Sequence, residues 1–331
     1  MFHSNYSPNN LKSLDFNKQI SNLNSFNDLP HLVIYGGDGT GKKTRIHLLI
    51  KRIFPNYKKS EKMVIWKTKG EIPVFISNYH YWIDCYTLRS YEKQTISKYI
   101  KEIGTNKSII HHKYRFIIFD NAQYLSEIGQ SMLRRMIEKY SEKLRFIFIT
   151  NSLSKFSSIL QSRCLLIRNA APNDNTCKYI LKIICDNEGI VISKHMLNKF
   201  LKKSIENYGY NNLWYLIHIL ELSCGRGKKI YFFKDTYDEI INELLKLLLN
   251  NSFNFVEIRG LLFKIDLSNF DLVLVLHKML YFFLKYVKNS MRKTILIKLF
   301  AKNELLLIKC NKKVVVLEKM CLDIYRLIHD F

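Results

Sequence analysis

The residues best suited to chemistry lie in one run, Gly36-Gly37-Asp38-Gly39-Thr40-Gly41-Lys42, directly after the apolar segment His31 to Tyr35 and directly before a helical pattern over Lys42 to Arg52. Glycines at this spacing let a loop wrap closely enough for its backbone N–H groups to face phosphate. The helix N-terminus that follows adds a favourable dipole, and Lys42 brings charge to the outer phosphates. A Gly-rich hairpin turn is the other reading of such a run, but the strand, loop and helix order is the context a phosphate loop requires. The next position, where a Ser or Thr hydroxyl would meet Mg²⁺, is Lys43, and Thr44 follows one residue later. One residue is a rotation of about 100° on a helix, so Thr44 does not take over that ligand and magnesium is expected to be held less well.

A second half of such a site is an apolar strand ending in an acid that holds the metal, followed by a glutamate that polarises the attacking water. Phe116-Ile117-Ile118-Phe119-Asp120-Asn121 supplies the strand and the acid, with Asp120 as the candidate Mg²⁺ ligand, but Asn121 stands where the glutamate would be. An amide takes no proton from water at neutral pH, so general-base help worth roughly 10²–10⁴-fold is expected to be absent. Capping of the following turn is the other role open to Asp120. The residues predict a site able to hold ATP or ADP and poorly equipped to hydrolyse it.

The elements that must position these groups read as an α/β core. Short β-branched or aromatic runs at His31 to Tyr35, Pro73 to Asn78, Arg115 to Phe119, Arg145 to Thr150 and Leu165 to Ile167 alternate with helical patterns, which predicts a parallel sheet with crossover helices. The pattern changes around Ala170-Ala171-Pro172-Asn173-Asp174. Beyond it, Asn175 to Glu188, Lys194 to Ser204 and Asn211 to Ser223 read as three helices, and Gly225-Arg226-Gly227-Lys228-Lys229 as a linker. From Tyr237 onward apolar residues recur at helical spacing, as in Ile240, Ile241, Leu244, Leu245 and Leu248. This tail either packs as its own bundle or buries part of its surface against copies or relatives. The expected domains are residues 1–170, 171–230 and 231–331.

Length and composition agree with a multidomain globular chain. The 331 residues exceed one ordinary domain, and 47% hydrophobic residues with few glycines and prolines exclude a disordered chain. Lysine and arginine outnumber acids 52 to 28, a net charge of +24 spread along the sequence. That excess fits a polyanionic partner such as nucleic acid, and equally a codon bias toward Lys, Asn, Ile and Tyr. Seven cysteines without a CxxC pair indicate neither a disulfide framework nor a zinc ribbon. His111 and His112 adjoin without further ligands at metal spacing. The apolar stretch Leu272 to Val287 is interrupted by His277, Lys278 and Lys285, so it reads as a buried helix and not a membrane span. The N-terminus carries no secretory signal pattern.

With these residues in view, the chain resembles the small subunits of replication factor C, the sliding-clamp loader of the AAA+ class. Gly41-Lys42-Lys43-Thr44-Arg45 is similar to the GKKT loop of one subunit type, so Lys43 is a trait of that type. Asn5-Tyr6-Ser7-Pro8 resembles the family's Lys-Tyr-Arg-Pro segment, which implies Tyr6 and Pro8 beside the adenine. Ser77-Asn78-Tyr79-His80 resembles the strand end between the two Walker motifs. Leu133-Arg134-Arg135-Met136-Ile137-Glu138-Lys139-Tyr140 is close to a characteristic family helix, and Thr150-Asn151 with Lys155 resembles sensor 1, which implies Asn151 near the γ-phosphate. Gln161-Ser162-Arg163-Cys164 matches the family's Ser-Arg-Cys box and implies that Arg163 is an arginine finger acting on the neighbouring subunit's ATP site. A local salt bridge at a helix end is the other role open to it.

The resemblance departs at sensor 2, because Gly209-Tyr210-Asn211-Asn212-Leu213-Trp214 has no basic residue. It extends over nearly the whole chain, the last hundred residues matching mainly by helical pattern and by Glu257-Ile258-Arg259-Gly260. It implies an AAA+ core with a parallel sheet, an all-α lid and an all-α collar in a heteropentamer. It also implies other replication factor C subunits, a sliding clamp and primer–template DNA as partners, with Arg134 and Arg135 as candidate contacts to DNA phosphates, in a nucleus-like compartment. An AAA+ ATPase that hydrolyses ATP by itself in replication initiation or remodelling, a ring member with a vestigial pocket, and a non-specific nucleic-acid binder are the competing readings.

Overall fold

In a computed structural model of the chain, the described residues are 2–8, 29–54, 62–67, 71–88, 91–105, 114–224, 236–250, 254–267, 272–310 and 313–329. His111, His112 and the Gly225 to Lys229 linker lie outside them. Among the described residues seven strands form one sheet: β1 (Leu32–Tyr35), β2 (Lys62–Lys67), β3 (Glu71–Ile76), β4 (His80–Asp84), β5 (Arg115–Asp120), β6 (Leu144–Thr150) and β7 (Leu165–Arg168). Their order is β2-β3-β4-β5-β6-β1-β7. Strands β4, β5, β6, β1 and β7 are parallel neighbours, as in the register Ile34↔Ile149 and Ile118↔Ile147.

The expected parallel sheet is extended at one edge by antiparallel pairing, where β3 runs antiparallel to both β2 and β4. Pro73 lies inside β3 opposite Ile65 of the edge strand β2, while pairing with β4 begins only at Val74. Strands β2 and β4 were absent from the sequence expectation. Strand β2, Lys-Met-Val-Ile-Trp-Lys, is an exposed edge flanked by charge, and β4 mixes His80 and Asp84 with aromatics, so neither is a clean apolar run. The segment Ser77 to His80, which resembles a strand end, follows the last residue of β3 and leads into β4. Ser77 to Tyr79 make a turn in which the Ser77 hydroxyl accepts from the N–H groups of Tyr79 and His80, and β4 starts at His80.

Helices follow as α1 (Phe2–Asn5), α2 (Lys42–Ile53), α3 (Cys85–Leu88), α4 (Glu92–Thr95), α5 (Lys101–Thr105), α6 (Glu127–Lys139) and α7 (Ser158–Gln161). Period-two alternation divides the sheet's side chains between two cores. Val33, Ile117, Phe119, Phe146 and Phe148 pack with Leu133 and Ile137 of α6, while Leu32, Ile34, Ile118, Ile147 and Ile149 pack with Ile46, Leu49 and Ile50 of α2. Burial on both faces is why β5 and β6 read as continuous apolar runs.

Next come α8 (Asp174–Glu188), α9 (Lys194–Tyr208) and α10 (Leu213–Ser223). Asn173, Ser193 and Asn212 cap their N-termini, each side chain accepting from the N–H three residues on, and Gly189 and Gly209 close α8 and α9 in left-handed conformation. Cys177, Leu181, Phe200, Leu216 and Leu220 form their own core. Contacts divide the chain into residues 1–232 and 233–331. The second unit consists of α11 (Thr236–Leu249), α12 (Phe255–Leu267), α13 (Leu272–Tyr286), α14 (Ser290–Lys309) and α15 (Lys313–His329) around Leu244, Leu262, Met279, Phe300 and Ile324. Within it Arg259 of α12 makes a two-pronged pair with Glu318 of α15, at 2.5 and 3.1 Å. Among the described residues no helix is long and apolar enough to cross a membrane, and all seven cysteines are free thiols.

Candidate nucleotide site

The loop after β1 is anchored at the carboxyl end of the parallel strands, where ligands of open α/β sheets bind. Gly36 N–H donates to the Thr150 carbonyl at 3.3 Å and Asn169 N–H to that of Tyr35 at 2.7 Å. Gly41, left-handed at φ 85°, starts α2 without a side-chain cap. Thr40 is fully buried, its hydroxyl donating to the Gly37 carbonyl and accepting from the Asn169 amide at 2.7 Å. Beneath it the buried Arg45 donates to the Thr40 carbonyl at 2.8 Å. Burial alone brings the Arg45 guanidinium down to about 10, which leaves it a cation at neutral pH.

Lys42 and Lys43 open α2 and no acid occupies its first turn. Cations at a helix N-terminus oppose the dipole by about 0.3–1 kcal/mol each when exposed, so this arrangement suits an anion placed against it. The Lys42 ammonium donates to the carbonyls of Gly36 and Gly37, both at 2.7 Å, and to Asn151 Oδ1 at 3.0 Å. Burial lowers its pKa, and Asp38 and Asp120 work against that. Asn151 also donates through Nδ2 to Asp38 Oδ2 at 3.0 Å. The end of β6 is therefore tied to the loop through the residue expected to act as a sensor.

Asp120, buried at the end of β5, has both carboxylate oxygens engaged. Oδ2 lies 2.5 Å from the Lys43 ammonium and accepts a longer bond from Trp82 Nε1, and Oδ1 accepts from Asn121 N–H at 3.0 Å. Thr44 sits half-buried one position further along α2. A phosphate chain fits this loop, with its glycines, helix N-terminus and Lys42. The Mg²⁺ expected at Asp120 does not fit, because an ammonium holds the acid and no hydroxyl occupies position 43. Asn121 turns through the left-handed region at φ 51°, ψ 41°, which asparagine tolerates better than most side chains, and its amide donates to Asp84 Oδ1 at 3.0 Å.

Sequence reading missed three residues on the loop. Tyr210 and Asn212, in the turn between α9 and α10, lie directly on it: a Cβ at Gly37 would come within 2.4 Å of the Tyr210 ring, and one at Gly39 within 1.7 Å of Asn212 Oδ1. Tyr210 Oη also donates to the Asp38 carbonyl and Trp214 N–H to that of Gly39, both at 3.3 Å. The third is Asn169. In the sequence, Gly209 to Trp214 stands out only as the sensor 2 position without a basic residue and Asn211 as the start of a helix, which does not foretell docking through Tyr210 and Asn212.

The other candidates lie elsewhere. Tyr6 packs with Phe2 against the α8–α10 core and its hydroxyl donates to Glu188 at 2.7 Å, which raises its pKa; Pro8 is half-buried nearby in the chain. Arg163, just after α7, donates through Nε to Glu138 of α6 at 2.7 Å and through Nη1 to the Ile159 carbonyl at 2.8 Å. The Arg163 hydrogen bond, with its charge and that of Arg134, lowers the Glu138 pKa. Arg134 stands 3.5 Å from Glu138, and Arg135 is exposed on the same helix.

A glycine-rich loop after β1, an acid at the end of β5, Asn151 just past the intervening β6 and a helical unit returning onto the loop give this α/β fold the layout of a phosphate-binding site. No family model matches the chain. The chain is similar in sequence to replication factor C subunits. It is 32% identical over 222 residues to replication factor C subunit 5 of Saccharomyces cerevisiae, covering 61% of this chain and 63% of that protein. It is 30% identical over 218 residues to subunit 5 of Schizosaccharomyces pombe (61% and 60%) and 29% identical over 215 residues to subunit 3 of Homo sapiens (61% and 60%). The match thus spans less than two thirds of these relatives. Among solved structures, the Aeropyrum pernix Orc1 protein in complex with DNA overlaps with a TM-score of 0.45 at 11% identity, covering 72% of this chain and 77% of that one, a likeness too loose to bear on function.

Proposed function

We propose that this chain is a subunit of a clamp loader of the replication factor C kind, holding ATP or ADP at its own loop without hydrolysing it efficiently and offering Arg163 to the ATP site of a neighbour. The observation that carries the reading is that the two residues standing in the hydrolytic positions, Lys43 and Asn121, each have a partner that fixes them, Asp120 and Asp84. A site kept rigid in that form favours retention of nucleotide over turnover. Similarity to replication factor C subunits supports the assembly role, with residues 233–331 as the collar. Exposed apolar side chains there, including Val256, Leu267, Met291 and Leu305, suit burial against sister subunits. The net charge of +24, with Arg134 and Arg135, suits backbone contacts to primer–template DNA held within a sliding clamp, in a nucleus-like compartment.

The test is co-expression with the four other loader subunits, followed by ATPase assay with clamp and primed DNA. Arg163→Ala is expected to lower turnover by roughly 10³-fold at the site it serves, the scale of an arginine finger, while Lys42→Ala changes turnover little. If Lys42→Ala abolishes turnover and Arg163→Ala leaves it intact, the chain is itself a motor and the proposal fails.

A further inference from the structure

We infer that Lys43 takes the place of the divalent cation in this site, so that the chain binds the phosphates of ATP or ADP without Mg²⁺. The inference rests on the nucleotide site proposed above and concerns only the ion that accompanies the phosphates. The first turn of α2 carries two adjacent cations with different surroundings. Lys42 directs its ammonium into the loop, onto the carbonyls of Gly36 and Gly37 and onto Asn151. Lys43 leaves the loop, its side chain 59% exposed along its length while the ammonium meets the Asp120 carboxylate at 2.5 Å, an acid whose own side chain is only 5% exposed.

In a phosphate-loop site the metal takes the hydroxyl of the residue after the loop lysine and reaches the acid of the neighbouring strand. Here the first group is the ammonium itself and the second is neutralised by it. The remaining Asp120 contacts, from Trp82 and the Asn121 N–H, are both donors, which satisfy a carboxylate and leave it less available to a metal. A divalent ion in that space would meet an ammonium of the same sign. Among the described residues no group of three or more His, Cys, Asp or Glu side chains offers an alternative metal site. An ammonium tethered to the acid beside the loop therefore fills in advance the position that Mg²⁺ otherwise takes.

The test measures binding of fluorescently labelled ATP and ADP to the full chain by anisotropy, with Mg²⁺ and with EDTA in excess. Wild-type affinity is expected to change by less than about threefold on chelation, and Lys43→Thr, which restores a hydroxyl and releases Asp120, is expected to lose about tenfold or more when Mg²⁺ is withdrawn. Circular dichroism of the variant shows that it is folded. A wild-type chain that binds only with Mg²⁺ overturns this inference and leaves the nucleotide site standing. A folded Lys43→Thr variant that stays indifferent to Mg²⁺ removes Lys43 from the role. Failure to bind either nucleotide under both conditions overturns the nucleotide site and this inference with it.

Discussion

Asn121 follows the acid of β5 in a backbone conformation that few side chains accept, and its amide bridges to the end of β4 at Asp84. A glutamate there would bring a second carboxylate toward Asp84 and adopt a left-handed conformation costing about 1–2 kcal/mol. Asn121→Glu is therefore expected to lower stability by about that amount and to leave single-turnover ATP hydrolysis unchanged, because the backbone and Lys43 stay as they are. A gain in hydrolysis of about 10²-fold or more by the variant would show that one missing general base was the whole deficit. Residue types at this scale were readable in advance: the phosphate loop, Lys43 and Asn121 were all identifiable by position. Their partners were not, since Asp84 lies 37 residues from Asn121 and Asp120 lies 77 from Lys43.

At the scale of elements, the turn joining α9 to α10 docks on the loop joining β1 to α2. Two glycines make room for it. Gly39 is left-handed at φ 66° and its missing Cβ is the space that Asn212 Oδ1 fills while capping α10. Gly39→Ala is expected to destabilise the first unit by about 1–3 kcal/mol through strain and displacement of that cap. Adding Asn212→Gly, a change that costs an N-cap only a few tenths of a kcal/mol, should recover part of the loss. Urea unfolding followed by tryptophan emission measures both, with Trp214 at the start of α10 as a near reporter. Additive losses in the double variant would mean that the two elements do not meet as described. The helices themselves were legible from periodicity, and α8 and α10 start within two residues of their expected positions. The docking was not, because the turn between α9 and α10 lacks the basic residue by which a phosphate-contacting segment is recognised in sequence.

For the molecule as a whole, stability should depend on pH through His31. The ring is buried at the start of β1, its Nδ1 accepts from Phe146 N–H at 3.1 Å, and burial, aided by the charge of Arg145, lowers its pKa to about 4. The unfolded chain titrates near 6.5, so as pH falls it takes up the proton first. The contribution is complete above about 6.5 and is lost as pH drops toward 4, up to about 3 kcal/mol in all. All three tryptophans, Trp66, Trp82 and Trp214, lie within residues 1–232, so their emission reports on the unit that contains His31. The urea midpoint should fall between pH 7 and pH 5, and His31→Asn, which keeps an acceptor for Phe146, should flatten that fall. An unchanged slope in the variant would assign the pH dependence to other groups.

The sequence by itself located the glycine-rich loop, the acid of β5, the altered residues beside them and the helical character of the described elements after residue 173. Those features are local: glycine spacing, strand patterns and helical periodicity are written within a dozen residues. Only the tertiary structure decided the antiparallel edge of the sheet, the place of β4, the α9–α10 turn resting on the loop, and the pairing of Lys43 with Asp120 and of Asn121 with Asp84. Each of these joins groups far apart in the chain, and which donor meets which acceptor is set by strand order and packing, which no short window of sequence contains.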